Sequence, residues 1–264
     1  MYAVIPAWNE AARIDRAIAT VKRAGCKHIL VVANGCTDDT ETIVSELQQK
    51  DATIDLLSFP FRLGVDVPRA IGSQYALRKG ANYILFYDGD LVGHMDDTLA
   101  TLLHTAVAFH LDLALCDCYG VHFQNTENDL LLKKRREIAE ELHMFRQIGY
   151  ANPAHGPSVV SARLIRRIPL CDLAQPPIVL AKAGLLRMHI DAPVHVPHIR
   201  LGSAFKDPEH TKKIRDTIIG DCLEALHILR GKPRSRVFGD HAFDGYHQER
   251  RFDIIKQIQI QHDS

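Results

Sequence analysis

Residues 81–91 read ANYILFYDGDL. A run of large apolar residues that stops at two carboxylates spaced by a glycine suits a buried parallel strand whose carboxyl end opens onto a polar site. Asp88 and Asp90 stand at that end, where open α/β sheets hold their ligands. Two earlier loops repeat the arrangement. VIPAWNEAARI (4–14) carries an apolar strand into Pro6, Ala7, Asn9 and Glu10, and VVANGCTDDT (31–40) carries another into Asn34, Gly35 and Asp39. Taken singly these are ordinary turns, since Asn-Gly suits a tight bend and Thr-Asp-Asp a helix start. In sequence, they describe one ligand crevice.

Outward from these loops, short β-branched runs alternate with helical patterns. Strands are expected at 3–5, 28–32, 53–57, 83–87 and 113–116. Helices are expected at 10–24, 38–49, 67–78 and 96–109, the first burying Ile14, Ala17, Ile18 and Val21. Apolar strands separated by amphipathic helices indicate an α/β, Rossmann-like fold with a mostly parallel central sheet flanked by helices. The second half is less regular. It holds a charged helical stretch at 127–146, a turn-rich segment at 149–157, a hydrophobic strand at 187–196, and a helix begun by Asp207-Pro208 and ended by Gly231 and Pro233. The expected division is a nucleotide-binding half (1–120), an acceptor-side half of the same domain (121–235) and a tail (236–264) with a final helix from Tyr246.

The 264 residues carry 32 Lys+Arg against 32 Asp+Glu, a net charge of zero. That balance argues against a nucleic-acid groove, which needs a basic surplus, but permits a local nucleotide site. The most apolar stretch, 99–115, is broken by His104, His110 and Asp112, so no transmembrane segment is expected. With no signal-peptide pattern at the N-terminus, the expected location is cytoplasmic. The six scattered cysteines are then reduced, structural thiols. In the run Lys133-Lys134-Arg135-Arg136, the neighbouring Glu137, Glu140 and Glu141 point to intrahelical pairs on a solvated face. The 15 histidines are an excess that composition alone leaves without a role.

The three loops, in this order and spacing, resemble family 2 glycosyltransferases of the GT-A fold, with their VIPAYNE-like opening, DDGSTD-like loop and strand ending in D-x-D. Residues 62–70, RLGVDVPRA, are similar to the family's N-x-G-x-x-x-A region. The resemblance covers residues 1–120. It implies an NDP-sugar donor held by Pro6, Ala7, Asn9, Glu10, Asn34, Gly35, Asp39, Gly64, Arg69, Asp88 and Gly89. It also implies Mg²⁺ or Mn²⁺ on Asp88 and Asp90, neutralising a leaving diphosphate. Asn34 stands where the family has an aspartate, and an amide both donates and accepts. The nucleotide base is therefore left open, UDP ahead of GDP.

Past residue 120 the resemblance thins. The acidic pair that serves many inverting members as a base has no counterpart at 172–177, where Asp172 stands alone. That points to an acceptor needing no base, such as a phosphate, or to a retaining mechanism. Residues 196–203, VPHIRLGS, are similar to the diphosphate-contacting region of polyprenyl-phosphate sugar synthases, with Arg200 as the catalytic arginine. They also resemble retaining glucosyl- and mannosyl-3-phosphoglycerate synthases, in which a histidine at the place of His198 joins the metal. His155, Gly156 and Pro157 resemble the small-residue loop beside the acceptor.

The expected activity is metal-dependent transfer to a small acceptor, with or without a phosphate, the alternative being a lipid-phosphate acceptor at a membrane surface. A non-catalytic sugar-nucleotide-binding protein also fits. A nucleotidyltransferase fits less well, because residues 6–13 lack a phosphate-loop glycine. The resemblance further implies a homodimer.

Overall fold

Alternate residues of each strand enter opposite cores, which is why the strands read as unbroken apolar runs. The computed structural model describes residues 1–120, 129–203 and 207–263. Its main sheet contains β1 (Tyr2–Ala7), β2 (His28–Asn34), β3 (Ile54–Phe59), β4 (Tyr83–Phe86), β5 (Leu113–Asp117), β6 (Ser158–Ser161) and β7 (Ile190–His195). Val4, Leu30, Ile84 and Leu113 point to one face, and Ile5, Ile29, Leu85 and Ala114 to the other. The strand order is β3-β2-β1-β4-β6-β5-β7. β6 runs antiparallel to β4 and β5, and the remaining pairs are parallel.

Helices α1 (Ile14–Arg23), α2 (Thr40–Lys50), α3 (Val67–Arg78) and α4 (Asp96–Ala108) follow the first four strands. α1 and α4 cover one face, with Ile14, Ala17, Ile18 and Val21 buried as their spacing requires. α3 covers the other face with α5 (Leu130–Glu141), α6 (Phe145–Ile148), α7 (Ala162–Ile165), α8 (Leu170–Leu173), α9 (Pro176–Leu185) and α10 (Pro208–Leu229). α3 lies so close to the sheet at Gly72 that a Cβ there would sit 2.4 Å from Val4 Cγ1. Gly72→Val is expected to cost roughly 1–3 kcal/mol through overpacking, measured as a lowered urea midpoint with an unchanged slope.

Three local expectations shift. Helix 10–24 begins at Ile14, because Asn9 is left-handed (φ 56°) and Glu10 N donates to Thr40 Oγ1 (2.8 Å), anchoring the loop to α2. The strand expected from 187 begins at Ile190, because Arg187 (φ 52°) closes the turn after α9. The helical stretch 127–146 resolves into α5, capped by Asp129, and α6; its expected start at Glu127 lies outside the described residues.

The solvated face assigned to residues 133–136 is corrected in part. Lys134 and Arg135 are buried, their stems packed where α5 meets α10. Lys134 reaches Glu137 (2.6 Å) and lies over Phe238, while the exposed Arg136–Glu140 pair keeps the expected form. The tail forms a hairpin, β8 (Val237–Phe238) and β9 (His241–Ala242), then a turn at His247–Glu249, then α11 (Phe252–Asp263).

Candidate active site

The sheet reverses direction of growth between β1 and β4, which splays their carboxyl ends apart into a crevice. A cavity of about 610 Å³ fills it. The end of β1 supplies Pro6 and Ala7, the loop after it Trp8 and Glu10, and β2 ends at Asn34. Arg62, Gly64, Val65, Asp66 and Arg69 form a second wall, and Asp88, Gly89 and Asp90 its floor. The far side comes from Ala154, Gly156, His198, Leu201 and Ser203, together with His210, Thr211, Ile214 and Ile218 of α10.

Arg69, expected at the donor, is buried at the cavity wall. It is 5% exposed, and Nη2 bonds both oxygens of Asp88 (2.8 and 3.0 Å) while Nη1 donates to Pro153 O (2.9 Å). Nε lies 3.4 Å from Asp66 Oδ1. Burial pushes the Asp66 carboxyl up, against the opposing pull of Arg69 and Arg250. Asp66 itself adopts the left-handed conformation (φ 63°) at the start of α3, turning the 62–66 loop into the cavity. Asp90 is 9% exposed and lines the wall beside Asp88. The Arg62 guanidinium stacks 3.8 Å from the Trp8 ring centroid, giving the wall a flat face.

Of the residues expected at the site, Pro6, Ala7, Glu10, Asn34, Gly64, Arg69, Asp88, Gly89, Asp90, Gly156 and His198 meet on this one cavity. Asn34 lines it with an amide already engaged, its Oδ1 accepting from Leu63 N (2.5 Å) and its Nδ2 donating to Gly64 O (3.4 Å). Asn9, Gly35 and Asp39 stand behind the wall. Asn9 Oδ1 accepts from Thr37 N (2.8 Å), Gly35 N donates to Phe59 O (3.0 Å), and Asp39 is an exposed residue at the start of α2. Arg200 lies exposed on the turn His198–Arg200, off the cavity wall. Asp172 is buried and paired with Lys182 and Arg234, which suits a structural role.

His155 and Pro157 also lie behind the wall. His155 Nε2 is 2.8 Å from His198 Nδ1, and its Nδ1 is 3.4 Å from Arg135 Nη1. Burial, with Arg135 and His198 adding to it, holds His155 well below the usual imidazole range and therefore neutral. Arg135 is 2% exposed, lies over the Tyr119 ring (5.5 Å), and has no carboxylate within ion-pair distance among the described residues.

Sequence inspection passed over Trp8, Arg62, Asp66, Arg135 and Arg250. Trp8 carried a signal, as an aromatic directly after a strand in the first loop. Arg250 carried none, because its partner Val65 O (3.0 Å) is 185 residues away. Near it, His247 is pushed down to about 4 by burial, with Arg236 and Arg250 adding to it. A histidine depressed in the folded state binds its proton first in the unfolded chain, so stability falls as pH drops from about 6.5 towards 4. His247→Gln is expected to flatten the dependence of the urea midpoint on pH across that window.

The comparisons agree with this architecture. Residues 2–170 match the family model described as glycosyl transferase family 2. No curated protein sequence matches the chain significantly. Among solved structures, glucosyl-3-phosphoglycerate synthase from Mycobacterium tuberculosis, in complex with phosphoglyceric acid, superposes with a TM-score of 0.64 at 17% identity. The match covers 89% of this chain and 81% of that one. The mannosyltransferase PcManGT from Pyrobaculum calidifontis, in complex with GDP-Man and Mn²⁺, gives 0.58 at 16% identity, covering 94% and 68%. S. aureus TarS 1-349 with UDP-GlcNAc gives 0.51 at 16%, covering 86% and 72%. At these identities the structural matches show the shared fold, while the family model spans well over half of the sequence. The chain belongs to glycosyl transferase family 2, and its fold is the α/β, GT-A architecture of that family.

Proposed function

We propose that the protein transfers a sugar from a nucleoside diphosphate sugar, UDP ahead of GDP, to a small phosphorylated acceptor, with Mg²⁺ or Mn²⁺ bound at Asp90. The observation that carries this reading is the pair Asp88–Arg69 fixed beside Asp90 on a cavity at the β1/β4 switch point. The donor set suits a cation shared with a diphosphate. Among the described residues no three or more His, Cys, Asp or Glu side chains converge to cage an ion, and Mg²⁺ takes one or two carboxylates plus substrate phosphates. Asp90 is the carboxylate for it, since Asp88 has both oxygens on Arg69, and His198 on the opposite rim is the candidate third group. When bound, the cation supplies charge neutralisation for the departing diphosphate.

The chain's own residues do the rest. Trp8 with Arg62 offers a flat surface on which a base can stack. Asn34 holds the 63–64 backbone that borders that surface. The acceptor oxygen attacks the anomeric carbon as the bond to the diphosphate breaks; the diphosphate keeps the electron pair and, where the acceptor oxygen is a hydroxyl and not a phosphate oxygen, takes up its proton. Gly156, His198 and Ser203 border the side from which the acceptor approaches. Supporting an anionic acceptor, Arg135 lies behind His155 and His198 with its positive charge unbalanced by any nearby described carboxylate. A lipid-phosphate acceptor is the second reading, favoured by Ile199, which stands 89% exposed beside His198. No described helix is long and apolar enough to cross a membrane.

The test is a transfer assay with UDP- and GDP-sugars, Mn²⁺ or Mg²⁺, and either small phosphorylated acceptors or a short polyprenyl phosphate. Nucleoside diphosphate released in step with a new glycoside supports the reading, and proton NMR of the anomeric centre decides between retention and inversion. Donor binding without any transfer would indicate a sugar-nucleotide-binding protein.

A further inference from the structure

The C-terminal segment is bound into the wall of the donor cavity. The Arg250 side chain is wholly enclosed. Its guanidinium takes both oxygens of Asp221 on α10 (2.7 Å each), reaches Asp66 Oδ2 (3.3 Å), and donates through Nε to Val65 O (3.0 Å). On the other side of Asp66 stands Arg69, and beyond it Asp88. At the far end Arg236 Nη1 shares Asp221 Oδ1 at 2.6 Å. Six charges therefore alternate in sign from the cavity floor to the hairpin: Asp88, Arg69, Asp66, Arg250, Asp221, Arg236. The main chain adds to the attachment. Arg251 N donates to Leu63 O (2.8 Å), and a Cβ on Gly64 would lie 2.6 Å from Glu249 O, so only glycine admits the segment at that distance.

We propose that Arg250 is a positioning residue for the donor site: acting through Asp66 and Arg69, it holds the Asp88 carboxylate and the 62–66 wall in the arrangement that receives a nucleoside diphosphate. The inference rests on the donor reading of the cavity given above. Arg69 stands between two carboxylates that compete for it. Arg250 balances Asp66, which leaves Arg69 Nη2 to bond both oxygens of Asp88. Without the Arg250 charge, Asp66 draws Arg69 away and Asp88 loses its fixed orientation. A lysine restores the charge but not the fork that spans Asp221, Asp66 and Val65 O at once.

A merely structural strap would loosen the molecule generally, whereas a positioning role acts locally and through Asp88. Three variants separate the two: Arg250→Met, Arg250→Lys, and Asp66→Asn, which removes the carboxylate competing for Arg69 while leaving Arg250 on Asp221 and Val65 O. In ligand-free hydrogen exchange, Arg250→Met is expected to speed exchange at 62–70 and 88–91 and leave α1 and α4, across the sheet, unchanged. Asp66→Asn, which leaves Arg69 no competing carboxylate, is expected to keep 88–91 near the wild type and to restore 88–91 when added to Arg250→Met. In calorimetry with UDP and with GDP, each with Mn²⁺, Arg250→Met is expected to weaken binding about tenfold, and Arg250→Lys to recover part of the loss. Residues coupled through one network are non-additive, so Arg250→Met should cost less than about twofold in an Asp88→Asn background. Unchanged exchange at 62–70, or full multiplication of the two losses, overturns the proposal. Should Arg250→Met fail to fold, Arg250→Lys, which keeps the charge but not the fork, carries the exchange and binding tests with a smaller expected loss. An Arg250→Lys protein indistinguishable from the wild type in both overturns the proposal. Failure of the wild-type protein to bind either nucleotide overturns the donor reading instead, and exchange then decides the positioning role on its own.

Discussion

Asp90→Ala is expected to lower kcat/KM for sugar transfer by about 100-fold or more while leaving the melting temperature close to that of the wild type. The size follows from the role. Stabilising the charge on a departing diphosphate is worth several kcal/mol, and each 1.36 kcal/mol is a factor of ten in rate. Asp90 lines the cavity, and Asp88 beside it is committed to Arg69, so the neighbour is not free to replace it. Steady-state kinetics at several Mn²⁺ concentrations checks this. The apparent affinity for Mn²⁺ should weaken together with kcat/KM. A variant that loses rate at unchanged Mn²⁺ dependence would remove the cation from Asp90.

Asp221→Ala is the largest expected loss of stability. Asp221 is fully buried and accepts from both Arg236 and Arg250. Burial opposes its charge, yet the two guanidiniums hold its carboxyl below the usual range. A carboxyl depressed in the folded state contributes its stability above the unfolded value near 3.8 and loses it only as pH falls through the lower folded value. At neutral pH the contribution is fully present. Truncation removes the one carboxylate that two buried cations share, leaving Arg250 only its longer pair with Asp66 and Arg236 its longer pairs with Asp244 and Glu224. Breaking a buried pair from one side costs about 3–5 kcal/mol. In a chain of this length that is a fall in melting temperature of about 10 °C. Glu140→Ala, which breaks the exposed pair with Arg136, serves as the control and should leave the melt nearly unmoved. A calorimetric scan in which the two variants melt together would contradict this account of the network.

What could be foreseen from sequence was whatever neighbouring residues determine. Apolar runs such as 28–32 and 83–87 specify strands buried on both faces, and the Ile14–Val21 spacing specifies the face of α1. Asp207-Pro208 marked the start of α10, where the Asp207 carboxylate accepts from His210 N (2.9 Å). Asp88 and Asp90 were legible for the same reason, as the carboxyl end of a strand. What escaped was settled by partners distant in the chain. The buried place of Lys134 and Arg135 depends on α10 packing over α5, and Arg69, expected at the donor, has its guanidinium taken up by Asp88 and Pro153 O, partners that its local sequence does not indicate. The Arg200 expected at the diphosphate stands exposed on a turn that local sequence could place but could not aim. The final helix of the tail was foreseen, but its role was unreadable because Arg250 meets Asp66 and Asp221 only in the folded chain.

Calorimetric titration of UDP- and GDP-sugars into the wild-type protein and Asp90→Ala, with and without Mn²⁺, tests the donor site most directly. Saturable binding of one nucleotide sugar that tightens with Mn²⁺, and loses that tightening in Asp90→Ala, is the expected result. Binding of equal strength with and without the metal, or the same metal dependence in the variant, would contradict it.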